Sequence, residues 1–186
     1  MPVEGEMRYR ELVVDEVDLI EQIDATNYIE NVWRINADTG QYEWKRIDWT
    51  DYELPNGMEW HKKRFCGTLQ DGGKVFGCFD QDTLVGYATV DAQVFGNRER
   101  YVLLDQLFVS KDYRGKGLGR QLVTLCCEQA RLFGAKKLYL CAGSSENTLA
   151  FYKKLGFQPA AERNEELYAE DPNDIQLELV LNQLVE

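Results

Sequence analysis

Leu107-Phe108-Val109-Ser110-Lys111-Asp112-Tyr113-Arg114-Gly115-Lys116-Gly117-Leu118-Gly119-Arg120 runs from an apolar, strand-like stretch through a glycine-alternating turn into a helix. Glycines at 115, 117 and 119 let backbone N–H groups converge on one concavity without side-chain obstruction. The helix that begins there adds the positive end of its dipole, and Arg114, Lys116 and Arg120 add charge. The turn is therefore suited to a phosphate or pyrophosphate. A Walker loop needs G-x-x-x-x-G-K-[ST], which is missing. A dinucleotide fingerprint counted from Gly115 would place its third glycine at Arg120 and should follow a parallel first strand. Neither motif fits.

Outward from this turn, periodicity predicts the remaining elements. Upstream lie strands over Lys74–Phe79, Leu84–Val94 and Tyr101–Val109. Downstream lie a helix over Gly117–Phe133 closed by Gly134, a strand over Lys137–Cys141, a helix over Asn147–Leu155 ended by Gly156, and a strand over Ile175–Leu181. Before them come a strand at Met7–Val14, a helix near Asp15–Ile23 capped by Asp15, and a helix over Met58–Leu69. Tyr28–Ile35 and Gln41–Trp49 read as a hairpin around Asn36–Gly40. The order predicts one α/β domain spanning 1–186, with a mixed, mostly antiparallel sheet, a parallel central pair and flanking helices. Residues 27–50 are expected as a hairpin embellishment of that domain.

Arg114-Gly115-Lys116-Gly117-Leu118-Gly119 matches the coenzyme A signature [QR]-x-x-G-x-[GA] of the GNAT N-acetyltransferases. Asn147-Thr148-Leu149-Ala150-Phe151-Tyr152-Lys153-Lys154-Leu155-Gly156-Phe157 resembles that family's second motif, in the expected order after one helix and one strand. The chain also resembles, more distantly, the streptothricin-type acetyltransferases. The family resemblance implies a sheet of about six to seven strands and acetyl-CoA as acetyl donor. It implies pyrophosphate on the amides of Arg114, Gly115, Lys116, Gly117, Leu118, Gly119 and Arg120. Leu107, Phe108 and Val109 would meet the pantetheine arm, as would Asn147, which also reads as an N-cap.

Acetyl transfer from a thioester to an amine makes three demands. The amine must lose a proton, the carbonyl oxygen needs a fixed donor, and the departing thiolate needs an acid. Tyr152 is the expected acid, since Phe151 and Leu155 form the apolar pair of that helix. The N–H of Val109 is the expected donor. Asp105 is the expected base acting through water, with Glu99, Asp91 and His61 as lesser candidates. Asp105 equally suits a strand-face ion pair, and His61 a surface or partly packed position.

The net charge of −11 argues against nucleic acid as a partner, although Lys111–Lys137 holds seven basic residues against two acidic ones. Residues 1–65 hold 15 acidic residues against 8 basic ones, and all four tryptophans. Aromatic rings with carboxylates suit a small cationic amine or a peptide amine, with Trp33, Trp49 and Tyr52 as candidate contacts. The same hairpin suits packing against a second subunit, and homodimers are common in the family. A non-catalytic acyl-CoA-binding module is the alternative reading. Five cysteines without C-x-x-C spacing and a single histidine predict free thiols and no metal. The acidic N-terminus and the lack of a long apolar run predict a cytoplasmic protein without a membrane span.

Overall fold

The computed structural model describes residues 6–181. The elements are β1 (Arg8–Glu11), a 3₁₀ helix (Val14–Gln22), β2 (Asn27–Ile35), β3 (Tyr42–Asp51), α1 (Met58–Gln70), β4 (Lys74–Asp80), β5 (Thr83–Val90) and β6 (Tyr101–Val109). A 3₁₀ turn (Lys111–Tyr113), α2 (Leu118–Leu132), β7 (Lys137–Ala142), α3 (Glu146–Lys154), β8 (Gln158–Pro159), α4 (Glu165–Glu170) and β9 (Ile175–Val180) complete them.

Seven strands form one sheet in the order β1-β4-β5-β6-β7-β9-β8, while β2 and β3 form a separate hairpin. Every pairing in the large sheet is antiparallel except β6 with β7. That parallel pairing is short. It joins Tyr101–Leu103 to Lys137–Tyr139 and stops, so β6 continues alone on that side to Val109. A cleft opens where the two strands part.

Each face of the sheet is covered. The buried residues of α2 are Leu118, Leu122, Val123, Cys126, Cys127 and Ala130, one stripe at helical spacing. They pack with Val85, Ala88, Val102 and Leu104 of the sheet, and α3 adds Tyr152. On the other face Phe65 of α1 and Ile20 of the 3₁₀ helix meet Val75, Phe79, Leu84 and Tyr87. Gly119 has a packing task. A Cβ there would lie 3.0 Å from Cζ of Phe151, so its absence sets how closely α2 approaches α3.

Several local expectations are corrected. β5 ends at Val90 rather than Val94, because Asp91 turns its carboxylate to the Thr68 hydroxyl at 2.7 Å. Residues 14–22 are a 3₁₀ helix preceded by Val13, not capped by Asp15; Glu16 takes the Val13 N–H at 3.1 Å. Ser145, not Asn147, caps α3, accepting the Thr148 N–H at 3.3 Å. The short α4 lacks an apolar stripe and was not expected; its signal is the Asn164 cap on Leu167 N–H. His61 is buried rather than on the surface. All five cysteines are free. Among the described residues no helix is long and apolar enough to cross a membrane.

Candidate active site

β6 alternates its backbone between two neighbours. Ser110 N–H donates to Val85 C=O at 2.8 Å, so in the antiparallel ladder Phe108 and Gln106 also bond toward β5. Leu107 and Val109 then turn their N–H and C=O groups into the cleft. Phe108, expected to line it, is turned away. Its side chain lies on the opposite face against His61 and Tyr87, with ring centroids 5.0 and 5.8 Å distant.

Beyond Val109 the turn is held from below. Lys111 N–H donates to Asp24 C=O at 2.9 Å, Asp24 N–H to the Ser110 hydroxyl at 3.0 Å, and the Tyr113 hydroxyl to Asp80 at 2.6 Å. Arg114 is part of this clamp. Its guanidinium donates to Val109 C=O and Thr26 C=O, both at 2.8 Å, and folds back from the turn. Burial lowers its pKa. Gly115 and Gly117 have φ of 76° and 86°, in the left-handed region. A Cβ at either would meet nothing within 4 Å, so open space faces them.

Among the described residues none of the amides from Gly115 to Arg120 donates to another protein atom; the next amide, Gln121, bonds Gly117 C=O. This is the first-turn set of unpaired donors, extended backwards by the glycine turn. Lys116 lies over the Tyr113 ring at 5.3 Å, and Arg120 is exposed. A pyrophosphate fits these donors: N–H groups, dipole and cations share one open concavity.

Tyr152 is 8% exposed, packed edge-on against Phe151 and Phe157. The division expected within α3 is therefore reversed. Tyr152 belongs to the core cluster, while Phe151 and Leu155 are only partly buried. Burial, with lesser contributions from Cys126 and Asp174, pushes its phenol well above the usual tyrosine range. Its hydroxyl has no hydrogen bond among the described residues, and so retains a proton free to be donated.

Asp105 lies in a two-pronged ion pair with Arg64, at 2.7 and 2.5 Å, and Arg64 also reaches Glu170 at 3.3 Å. Asp105 thus takes the ion-pair arrangement open to it. Asp174, which the sequence did not single out, has a pKa pushed up to about 6 by burial and by Asp171, against Arg34. Cys141, on β7 where the strands part, records the grouping. After burial, the charges of Asp174, Asp105 and Glu170 raise its thiol to about 12, and Arg64 opposes them. Carboxylates from β6, α4 and the loop before β9 thus all act on Cys141.

Asn147 is exposed beside the cleft formed by Tyr28–Asn31 and Ser145. Trp49 and Tyr52 share a groove of about 530 Å³ with Asp51 and Glu53. Trp33 is not in it, and instead stacks on Tyr42 and lies tilted against Trp44 within the hairpin. No group of three or more metal-ligating side chains occurs among the described residues.

The seven-stranded sheet with its one parted parallel pair, leading through a glycine turn into α2, is a fold shared with known proteins. Residues 39–157 match the acetyltransferase (GNAT) family, and the chain belongs to that family. Its members use acetyl-CoA. An uncharacterised N-acetyltransferase of Methanocaldococcus jannaschii is 25% identical over 138 residues, 73% of this chain and 57% of that one. The chain thus spans little more than half the length of that relative. A nourseothricin acetyltransferase structure aligns with a TM-score of 0.70 at 22% identity, covering 94% of this chain and 98% of that one. A Bacillus anthracis protein, provisionally described as a streptothricin acetyltransferase and solved with acetyl coenzyme A, aligns with a TM-score of 0.67 at 14% identity. It covers 94% and 99% of the two chains. At these identities the two structures speak to the fold.

Proposed function

We propose that the chain moves an acetyl group from acetyl-CoA to a primary amine on a small cationic acceptor, by direct attack on the thioester. The observation that carries this is the run of free amides from Gly115 to Arg120, continuous with the cleft-facing backbone of Leu107 and Val109. Those amides hold the pyrophosphate, and Lys116 and Arg120 supply charge. Asn147 meets the pantetheine arm from the start of α3. The Val109 carbonyl is taken by Arg114, which leaves its N–H as the donor to the acetyl oxygen.

The acceptor arrives as an ammonium and must lose a proton before attack. Asp174 takes it. A carboxylate with a pKa near 6 is well matched to this work at neutral pH. Asp105, with both oxygens on Arg64, instead contributes to the negative charge that draws the cation in. The amine nitrogen then bonds the acetyl carbon, the carbon–sulfur bond breaks, the Tyr152 hydroxyl gives its proton to the thiolate, and the second proton of the attacking nitrogen returns the phenolate to phenol.

Thiol release from acetyl-CoA across a panel of polyamines, amino acids, aminoglycosides and peptides tests the reading. Coenzyme A binding without turnover of any amine would replace it with a non-catalytic acyl-CoA-binding module. Tyr152→Phe should lower turnover by about 10²–10⁴-fold with coenzyme A affinity kept; unchanged turnover removes Tyr152 from the chemistry.

A further inference from the structure

The β2–β3 hairpin stands off the main sheet, and most of the exposed apolar surface lies on it. Of eleven large apolar side chains exposed among the described residues, seven fall between Tyr28 and Tyr52. Tyr42 and Trp44 are each 47% exposed and Trp49 is 59% exposed. Apolar surface concentrated in this way marks a contact face.

The backbone shows which part of the hairpin is open. Asn36 N–H donates to Gln41 C=O at 2.8 Å, so the bonded pairs that follow are Arg34 with Glu43 and Val32 with Lys45. Trp33 then faces outward from β2, and its N–H donates to Ser144 C=O at 2.8 Å. The edge of β2 is thereby fastened beside α3. By the same alternation Tyr42, Trp44 and Arg46 present their N–H and C=O groups on the outer edge of β3. Among the described residues no backbone bond leaves that edge.

We infer that the outer edge of β3 pairs with the same edge of a second copy of this chain, antiparallel about Trp44. Trp44 would exchange both backbone bonds with its counterpart, and Tyr42 would do so with Arg46 of the other copy. This uses the three outward-facing residues and leaves none over. Glu43 then faces Lys45 of the second copy across a closely spaced pair, in both halves of the interface. Lys45 has no ion pair among the described residues. The Trp44 rings become cross-strand neighbours, and Tyr42 meets the Arg46 guanidinium.

Charge favours a second copy here over other parts of the surface. The chain carries −11 overall, so two copies repel over most approaches. From Tyr42 to Asp48 the two acidic residues, Glu43 and Asp48, balance the two basic ones, Lys45 and Arg46. Moving the two-fold centre by one residue, to Glu43 or to Lys45, would instead oppose Glu43 to Glu43 or Lys45 to Lys45.

Sedimentation of the full chain tests the assignment independently of any acetyl transfer. The wild type should run at twice the 21.5 kDa chain mass. Glu43→Lys and Lys45→Glu should each weaken self-association at least tenfold, because like charges then face each other twice. An equimolar mixture of the two variants should restore the doubled mass, since every facing pair is again opposite in sign. A wild type that stays at the single-chain mass up to about 100 μM overturns the inference. So does a dimer that neither charge reversal weakens, which would place the interface elsewhere. Circular dichroism of both variants separates lost association from lost folding.

Discussion

Arg114 looks in sequence like a phosphate ligand, and in the structure it is a clamp; replacing it with alanine separates the two roles. Alanine removes two donors at 2.8 Å, one to Val109 C=O and one to Thr26 C=O. A hydrogen bond from a charged donor contributes about 1.5–3 kcal/mol when well buried. Arg114 is exposed, so the two bonds together are discounted for solvent competition and we expect a loss of about 1–3 kcal/mol. At about 2–4 °C per kcal/mol for a chain of this size, the melting temperature should fall by roughly 3–10 °C. Coenzyme A should also bind more weakly, because the turn amides are no longer held in place.

Salt then discriminates. If Arg114 acts through the backbone, the variant's coenzyme A affinity should depend on ionic strength as steeply as the wild type's. Arg120→Ala, which removes an exposed cation without such bonds, should flatten that dependence and leave the melting temperature nearly unchanged. Scanning fluorimetry and titration calorimetry at two salt concentrations measure both. An Arg114→Ala protein that melts normally and shows a flattened salt dependence would refute the clamp.

Gly119→Ala should cost about 1–3 kcal/mol, because its Cβ would meet the Phe151 ring at 3.0 and 3.3 Å; the double variant with Phe151→Leu should recover part of the loss in chemical denaturation. Glu178 is 1% exposed. Burial pushes its pKa up, but the Ala161 N–H, Lys137, Tyr101 and Gln158 outweigh it and bring the pKa down to about 2 from 4.5. A depressed carboxylate stabilises fully above its unfolded pKa, so on the order of 3 kcal/mol should be lost as pH falls from about 4.5 toward 2. Glu178→Gln should flatten the stability profile in that window. Asp174→Asn should abolish the limb near pH 6 in kcat/KM, whereas Asp105→Asn should keep the limb and lower stability through the unpaired Arg64; a retained limb in Asp174→Asn rules that carboxylate out as the base.

What was legible in the sequence was what is local. β6 runs over Tyr101–Val109 as the alternation and flanking turns predict, and α2 begins directly after Gly117 because the glycine turn and the apolar stripe agree. The hairpin around Asn36–Gly40 is likewise written in its turn residues. Contacts between segments far apart in the chain were not legible. Asp105 looked available until Arg64, 41 residues earlier, closed on it. Asp174 sits in an acidic loop whose sequence says nothing of burial, and only the packing of α4 and β9 brings its charge to Cys141 and Tyr152. Asn147 gave an N-cap signal, but Ser145 two residues before it made the bond. Phe108 was assigned to the cleft by its place in the motif, although strand alternation turns it to the opposite face.

The middle and the C-terminal end of β6 carry opposite fields, and their separation matters. Asp105, among the carboxylates that act on Cys141, is four residues from Val109, where the basic turn takes over. At about 3.3 Å per residue those positions are roughly 13 Å apart, beyond the Debye length of about 8 Å at physiological salt. The anion and the cation can therefore be gathered at their own positions without the two fields cancelling. Between them lie Gln106, Leu107 and Phe108, which carry no formal charge. A neutral stretch of that length suits the neutral thioester arm of the proposed donor. The parting of β6 from β7 after Leu103 is what makes this arrangement available. Had the parallel ladder continued, the Leu107 and Val109 amides would be consumed by β7 and the two charged positions would have no connecting channel.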